Sequence, residues 1–196
     1  MKILPFFPTF IRSAQKAEKV FASDLKPVQL LGIQKDWATF KHRLIVPKGA
    51  RVHYFGKGNP IANLKVKAGA TFDAPNALLK KVVNQGQLII EQAAEIITQK
   101  DGRTTADKVA LNTMLDYSEG NFKAVEKNYM QDHARGNFGP VAENHMKGFA
   151  KGNFGDVKAN YANDHSSAHF KSLAQSYQRD EAEVTINGRL VTVSQR

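Results

Sequence analysis

Between residues 103 and 182 the hydrophobic and polar positions repeat every 16 residues. Three copies keep a triplet in register: Gly120-Asn121-Phe122, Gly136-Asn137-Phe138 and Gly152-Asn153-Phe154, with a worn fourth at Ala168-His169-Phe170. Three residues after each Phe comes a branched apolar residue (Val125, Val141, Val157, Leu173), and three further on an amide or hydroxyl (Asn128, Asn144, Asn160, Ser176). A ring follows directly: Tyr129, His145, Tyr161, Tyr177. A weaker unit upstream keeps Val109, Asn112, Met114 and Asp116 in the same columns. A repeated surface marks a scaffold or binding element more than a single catalytic pocket.

The spacing within one unit, as in Phe122, Val125, Tyr129 and His133, is that of one stripe of an α-helix. One continuous helix is excluded, because 16 residues at about 100° each leave successive Phe residues about 160° apart. The pattern therefore predicts five short antiparallel helices. Gly serves as the C-terminal cap of one helix, Asn as the N-cap of the next, and Pro140 lies in a first turn. Their packed face would be Phe122, Val125, Tyr129, Phe138, Val141, Phe154, Val157, Tyr161, Phe170, Leu173 and Tyr177. The column Asn112, Asn128, Asn144, Asn160 reads as a hydrogen-bond ladder between adjacent helices, or alternatively as an exposed polar stripe.

Before the repeats the pattern changes. An apolar, Pro-stiffened start reads as a docking arm rather than a leader, and residues 12–24 as a basic helix; together they form an N-terminal segment 1–36. Alternation at Arg43–Val46, Arg51–Phe55 and Leu64–Ala68 predicts a small antiparallel β region. Helical spacing from Leu79 to Ile97 predicts one long helix over 75–99, with a turn at Asn84-Gln85-Gly86 between two strands as the alternative. These elements make up 37–102. After the repeats, Asn187-Gly188 between two β-rich runs predicts a C-terminal hairpin within 183–196. The expected class is α+β.

Charge divides the chain. Residues 1–100 hold 16 Lys and Arg against 6 Asp and Glu, whereas residues 101–196 hold 12 against 12, so the net +10 belongs to the first half. No acid occurs between Asp36 and Asp73, while Lys41, Arg43, Lys48, Arg51, Lys57, Lys65 and Lys67 do. Such a field suits an anionic partner, nucleic acid or an acidic protein. Cys is missing, which removes disulfides and thiolate chemistry, and no apolar run is long enough for a helical membrane span.

The pairs Asp132-His133 and Asp164-His165 are the candidate catalytic groups, since acid-oriented histidines act as bases. Other units place Tyr117, Phe149 and Glu181 in the His column, which favours a packing or rim position. His165 and His169 have i, i+4 spacing, but predicted helix boundaries separate them, so no metal or cofactor is expected. Gly56-Lys57-Gly58-Asn59 is a weak phosphate-loop candidate, and His53 and Tyr54 are candidate stacking residues. Trp37 beside Phe40 reads as core. These features point to a non-enzymatic structural or adaptor subunit of a virion-like or nucleoprotein particle. Its basic half would face the anionic partner, and its helical half would contact other protein subunits. The alternative is a small basic hydrolase of the nuclease-toxin type using the Asp-His pairs.

Overall fold

The structure, a computed structural model, describes residues 28–29, 43–46, 48–53 and 60–190. It has strands and no helix: each 16-residue unit is one coil of a parallel β-solenoid of about eight turns. The strands are β1 (Val28–Gln29), β2 (Arg43–Val46), β3 (Arg51–His53), β4 (Pro60–Val66), β5 (Thr71–Asn84), β6 (Gln87–Thr98) and β7 (Arg103–Met114). There follow β8 (Glu119–Met130), β9 (Arg135–Phe138), β10 (Val141–Met146), β11 (Lys151–Ala162), β12 (Ser167–Gln178), β13 (Glu183–Ile186) and β14 (Arg189–Leu190). From β7 onward each coil pairs in parallel with the next at a shift of 16 residues, so Val109, Val125, Val141 and Val157 form one column.

Why does a β-coil mimic helical spacing? In the Gly120 coil the buried positions are Gly120, Phe122, Val125, Asn128, Met130 and Ala134. Along a straight run, inward side chains recur every second residue. At each bend the chain spends one extra residue, so the interval becomes three: Phe122 to Val125, and Val125 to Asn128. Those intervals of three imitate a helical stripe, while Tyr129 points out beside inward Asn128 and Met130. The five repeat helices are thereby replaced by β7 to β12, and the adaptor role that required a helical half falls with them.

The predicted helix 75–99 is likewise two strands, β5 and β6, in adjacent coils and parallel to each other. Buried Asn84 closes the turn between them. Its side-chain amide donates to Arg103 O (2.8 Å) and Thr104 Oγ1 (2.9 Å), and its Oδ1 accepts from Gly86 N (2.9 Å). The runs read as an antiparallel region contain β2, β3 and part of β4, but every pairing among β2, β3, β4 and β5 is parallel. The hairpin β13–β14 is antiparallel, with left-handed Asn187 (φ 48°) and Gly188 (φ 75°) at its turn as a two-residue hairpin requires. The basic helix 12–24, Trp37, Phe40 and Tyr54 lie outside the described residues.

The core is a set of axial columns. Phe122, Phe138, Phe154 and Phe170 stack with centroids 4.9–5.2 Å apart, and Met114, Met130 and Met146 fill a second buried column. Full burial of each such side chain contributes about 1.5–3 kcal/mol. Between them runs a buried amide ladder. The Nδ2 of Asn112 donates to Asn128 Oδ1, Asn128 to Asn144 and Asn144 to Asn160, each at 2.7 Å, and Asn160 reaches Ser176 Oγ at 3.3 Å. The ladder joins strands, and it starts at Asn112 because the residue beneath it in the column is Ile96. Asn112 Oδ1 accordingly has no partner.

Candidate polymer-binding face

Each coil presents outward columns along the axis. The first face carries the column Glu119, Arg135, Lys151, Ser167 and, one pleat on, the column Asn121, Asn137, Asn153, His169. Asn137 Nδ2 donates to Asn121 Oδ1 and Asn153 Nδ2 to Asn137 Oδ1, both at 2.9 Å, giving an exposed second amide ladder. His169 bonds Thr185 in the same column. Between the two columns the floor is the backbone of Gly120, Gly136 and Gly152, and the groove there has a volume of about 430 Å³. Beyond the amides, Gly139 and Gly155 leave a second shallow groove of about 510 Å³.

The charges of this face are uneven. Glu119 is taken by Arg103 (3.0 Å) and Asp107 by Lys123 (2.7 Å). Residues 135–139, 151–155 and 167–171 hold Arg135, Lys151 and Lys171 and no acid. Arg135 and Lys151 make no ion pair among the described residues, and both are exposed. Arg51 and Arg103 belong to the same column, through Thr71 and Gln87. Sequence reasoning placed the anionic contact in the basic half and missed Arg135 and Lys151, because the repeat region is neutral in sum; only the register shows that its cations share a face.

The predicted basic set is split. Arg51 lies on the first face, whereas Arg43 and Lys65 fall in columns of the third, with Lys127 and Tyr129 respectively. Lys48 and Lys67 lie at successive coil turns, and Lys41 and Lys57 are outside the described residues. The loop containing Lys57 and the side chain of His53 are outside them too.

Asp132 and Asp164 are turn residues. With Asp116 and Asp180 they adopt left-handed φ of 56–59°, a conformation that Asp tolerates better than most residues. Asp164 Oδ2 accepts from Gly148 N (3.1 Å), and Asp116 Oδ2 from Lys100 N (2.9 Å), so each carboxylate ties its turn to the coil below. His133 and His165 stand on the outer rim in a row with Tyr117 and Phe149, at centroid separations of 4.8–5.2 Å. Phe149 lies between the two histidines, and His165 also pairs with Glu181 at 2.9 Å. The two Asp-His pairs therefore form a row along a rim, two coils apart, and do not converge on a cleft. Among the described residues no group of three or more His, Asp and Glu could hold a metal ion.

The third face holds Tyr129, His145, Tyr161 and Tyr177, stacked at 4.6–5.0 Å. Glu143 accepts from His145 Nε2 (2.6 Å) and from Lys127 Nζ (3.0 Å). The hydrogen bond from His145, then that from Lys127, holds the Glu143 carboxyl below its ordinary value, and the Glu143 bond raises Lys127.

No family model matches the chain, and no curated protein or solved structure shows significant similarity to it. The surface columns alone carry the functional reading.

Proposed function

We propose that the solenoid is a binding scaffold that lays an extended anionic polymer along its first face, parallel to the axis. The observation that carries this reading is the pair of uncompensated cations, Arg135 and Lys151, on consecutive coils beside the Asn121–Asn137–Asn153 ladder and above a glycine floor. Adjacent coils are about 4.8 Å apart, so the groove meets a linear ligand at regular intervals. Glycine keeps the floor low, and the cations lower the energy of negative charge lying along it. Arg51 and Arg103 extend the same column toward the basic half of the chain.

The test uses the full chain with three polyanions: polyglutamate, dextran sulfate and oligodeoxythymidine. At least one is expected to bind, with affinity that falls as salt rises. Arg135→Gln with Lys151→Gln should weaken that binding by about tenfold or more, equivalent to about 1.4 kcal/mol. Both side chains are exposed, so the β-sheet circular dichroism of the variant should match the parent. Binding of none of the three, or binding indifferent to the double substitution, overturns the reading.

A further inference from the structure

Resting on that reading, we infer that the polymer is hydroxyl-rich: an acidic polysaccharide and not a nucleic acid. The argument begins with what the exposed amides have left to offer. An Asn side chain carries two N–H donors and two acceptor lone pairs. In the outer ladder Asn137 spends one donor on Asn121 and one lone pair on Asn153, and keeps one of each. Asn121 keeps both donors and Asn153 both lone pairs, since each stands at an end of the ladder. Every rung thus presents donor and acceptor side by side, about 4.8 Å from the next. A hydroxyl is also donor and acceptor in one group, so it can satisfy both halves of a rung. A phosphate oxygen or an ionised carboxylate accepts only, and leaves the rung's own acceptor facing negative charge.

The aromatic residues argue the same way. Single-stranded nucleic acid gains much of its affinity by stacking bases on aromatic faces. Here the ring faces are spent on each other. The Tyr129, His145, Tyr161 row and the Tyr117, His133, Phe149 row are both closed stacks with centroids 4.6–5.2 Å apart, and the Phe column is interior. The polar groove itself has one ring, His169, at its end and already bonded to Thr185.

Charge density is the third argument. A nucleic-acid strand in a duplex carries a phosphate about every 3.4 Å. The groove supplies one cation per coil at most, about every 4.8 Å. Arg135 and Lys151 suit a chain with one acid per sugar, a uronate or a sulfate ester, whose remaining hydroxyls meet Asn121, Asn137 and Asn153.

The experiment compares polygalacturonate, dextran sulfate, polyglutamate and oligodeoxythymidine at one salt concentration, on the parent and on Asn137→Ala with Asn153→Ala. At least one acidic glycan is expected to bind about tenfold more tightly than polyglutamate and oligodeoxythymidine, and the Asn substitutions should erase that advantage while leaving polyglutamate unchanged. Preference for polygalacturonate or for dextran sulfate identifies the acid as carboxylate or sulfate, and either supports the inference. If polyglutamate or oligodeoxythymidine binds as tightly as the glycans, and the binding depends on Arg135 and Lys151, the inference fails while the anionic-polymer reading stands. If nothing binds, both fail.

Discussion

A Cβ placed on Gly136 would lie 2.3 Å from Cε2 and 2.5 Å from Cζ of Phe138, two residues further along the same strand. The ring folds back over the glycine and fills the space its side chain would take. Gly120 and Gly152 stand in the same relation to Phe122 and Phe154. The triplet Gly-Asn-Phe is therefore a volume exchange between neighbouring inward positions with an outward Asn between them. The same two columns hold Phe72 with Ala74, Leu88 with Ile90, and Thr104 with Ala106 in other coils, so bulk is distributed differently from turn to turn. In the Ala168–Phe170 coil the ring is tilted 20° from its neighbour Phe154, against 4° and 8° within the glycine coils.

Gly136→Ala should destabilise the fold by about 1–3 kcal/mol through overpacking. Combining it with Phe138→Leu should recover part of that loss, because the smaller side chain vacates the contested volume. Urea unfolding of the two variants measures both quantities. Gly136→Ala as stable as the parent would show that the ring moves aside freely.

Interior and terminal rungs of the buried ladder should differ. Asn144→Ala strands the Asn128 donor and the Asn160 acceptor, whereas Asn112→Ala strands only the Asn128 acceptor. An unsatisfied buried group costs about 1–3 kcal/mol. The interior substitution is accordingly expected to cost more by about that amount, read from the difference in unfolding free energy.

Asp132 serves as a turn residue at φ 59°. Asp132→Gly should leave stability nearly unchanged, and Asp132→Val should cost about 1–2 kcal/mol, since a β-branched residue resists the left-handed region. Thermal or denaturant unfolding decides. Equal losses for Gly and Val would show that the carboxylate, and not the backbone conformation, is what the site needs.

The surface trio Lys127, Glu143 and His145 predicts a direction of titration. Glu143 is held below its ordinary 4.5, so its contribution to stability is present above 4.5 and is lost as pH falls through the lowered folded value. Lys127 is raised above its ordinary 10.5, so its contribution is present below 10.5 and is lost as pH climbs through the raised value. Carboxyl-carbon NMR should show Glu143 titrating below 4.5, and His145→Ala should move that midpoint upward.

The period, the columns and the inward Phe and Val positions were all legible in the sequence; the geometry joining them was not. Intervals of three arise both on a helix and across the bends of a coil, and between Phe122 and Asn128 the two are indistinguishable by spacing. Gly and Asn are strong helix-end signals, so a glycine present for a neighbouring ring and an asparagine present for an axial ladder both looked like caps. The hairpin at Asn187-Gly188 could be read because its signal is local. The binding face could not, because Arg135 and Lys151 become neighbours only when one coil is laid on the next.

The fixed shift of 16 residues separates length from chemistry. Removing residues 135–150 would join Ala134 to Lys151 and bring Phe122 beside Phe154, Asn128 beside Asn160, and Asn121 beside Asn153, with every column still continuous. A cut of any other size within the repeats would turn inward residues outward from that point on. Recombination between copies can therefore lengthen or shorten the rod one rung at a time, and with it the stretch of ligand that it spans, without redesigning a single contact.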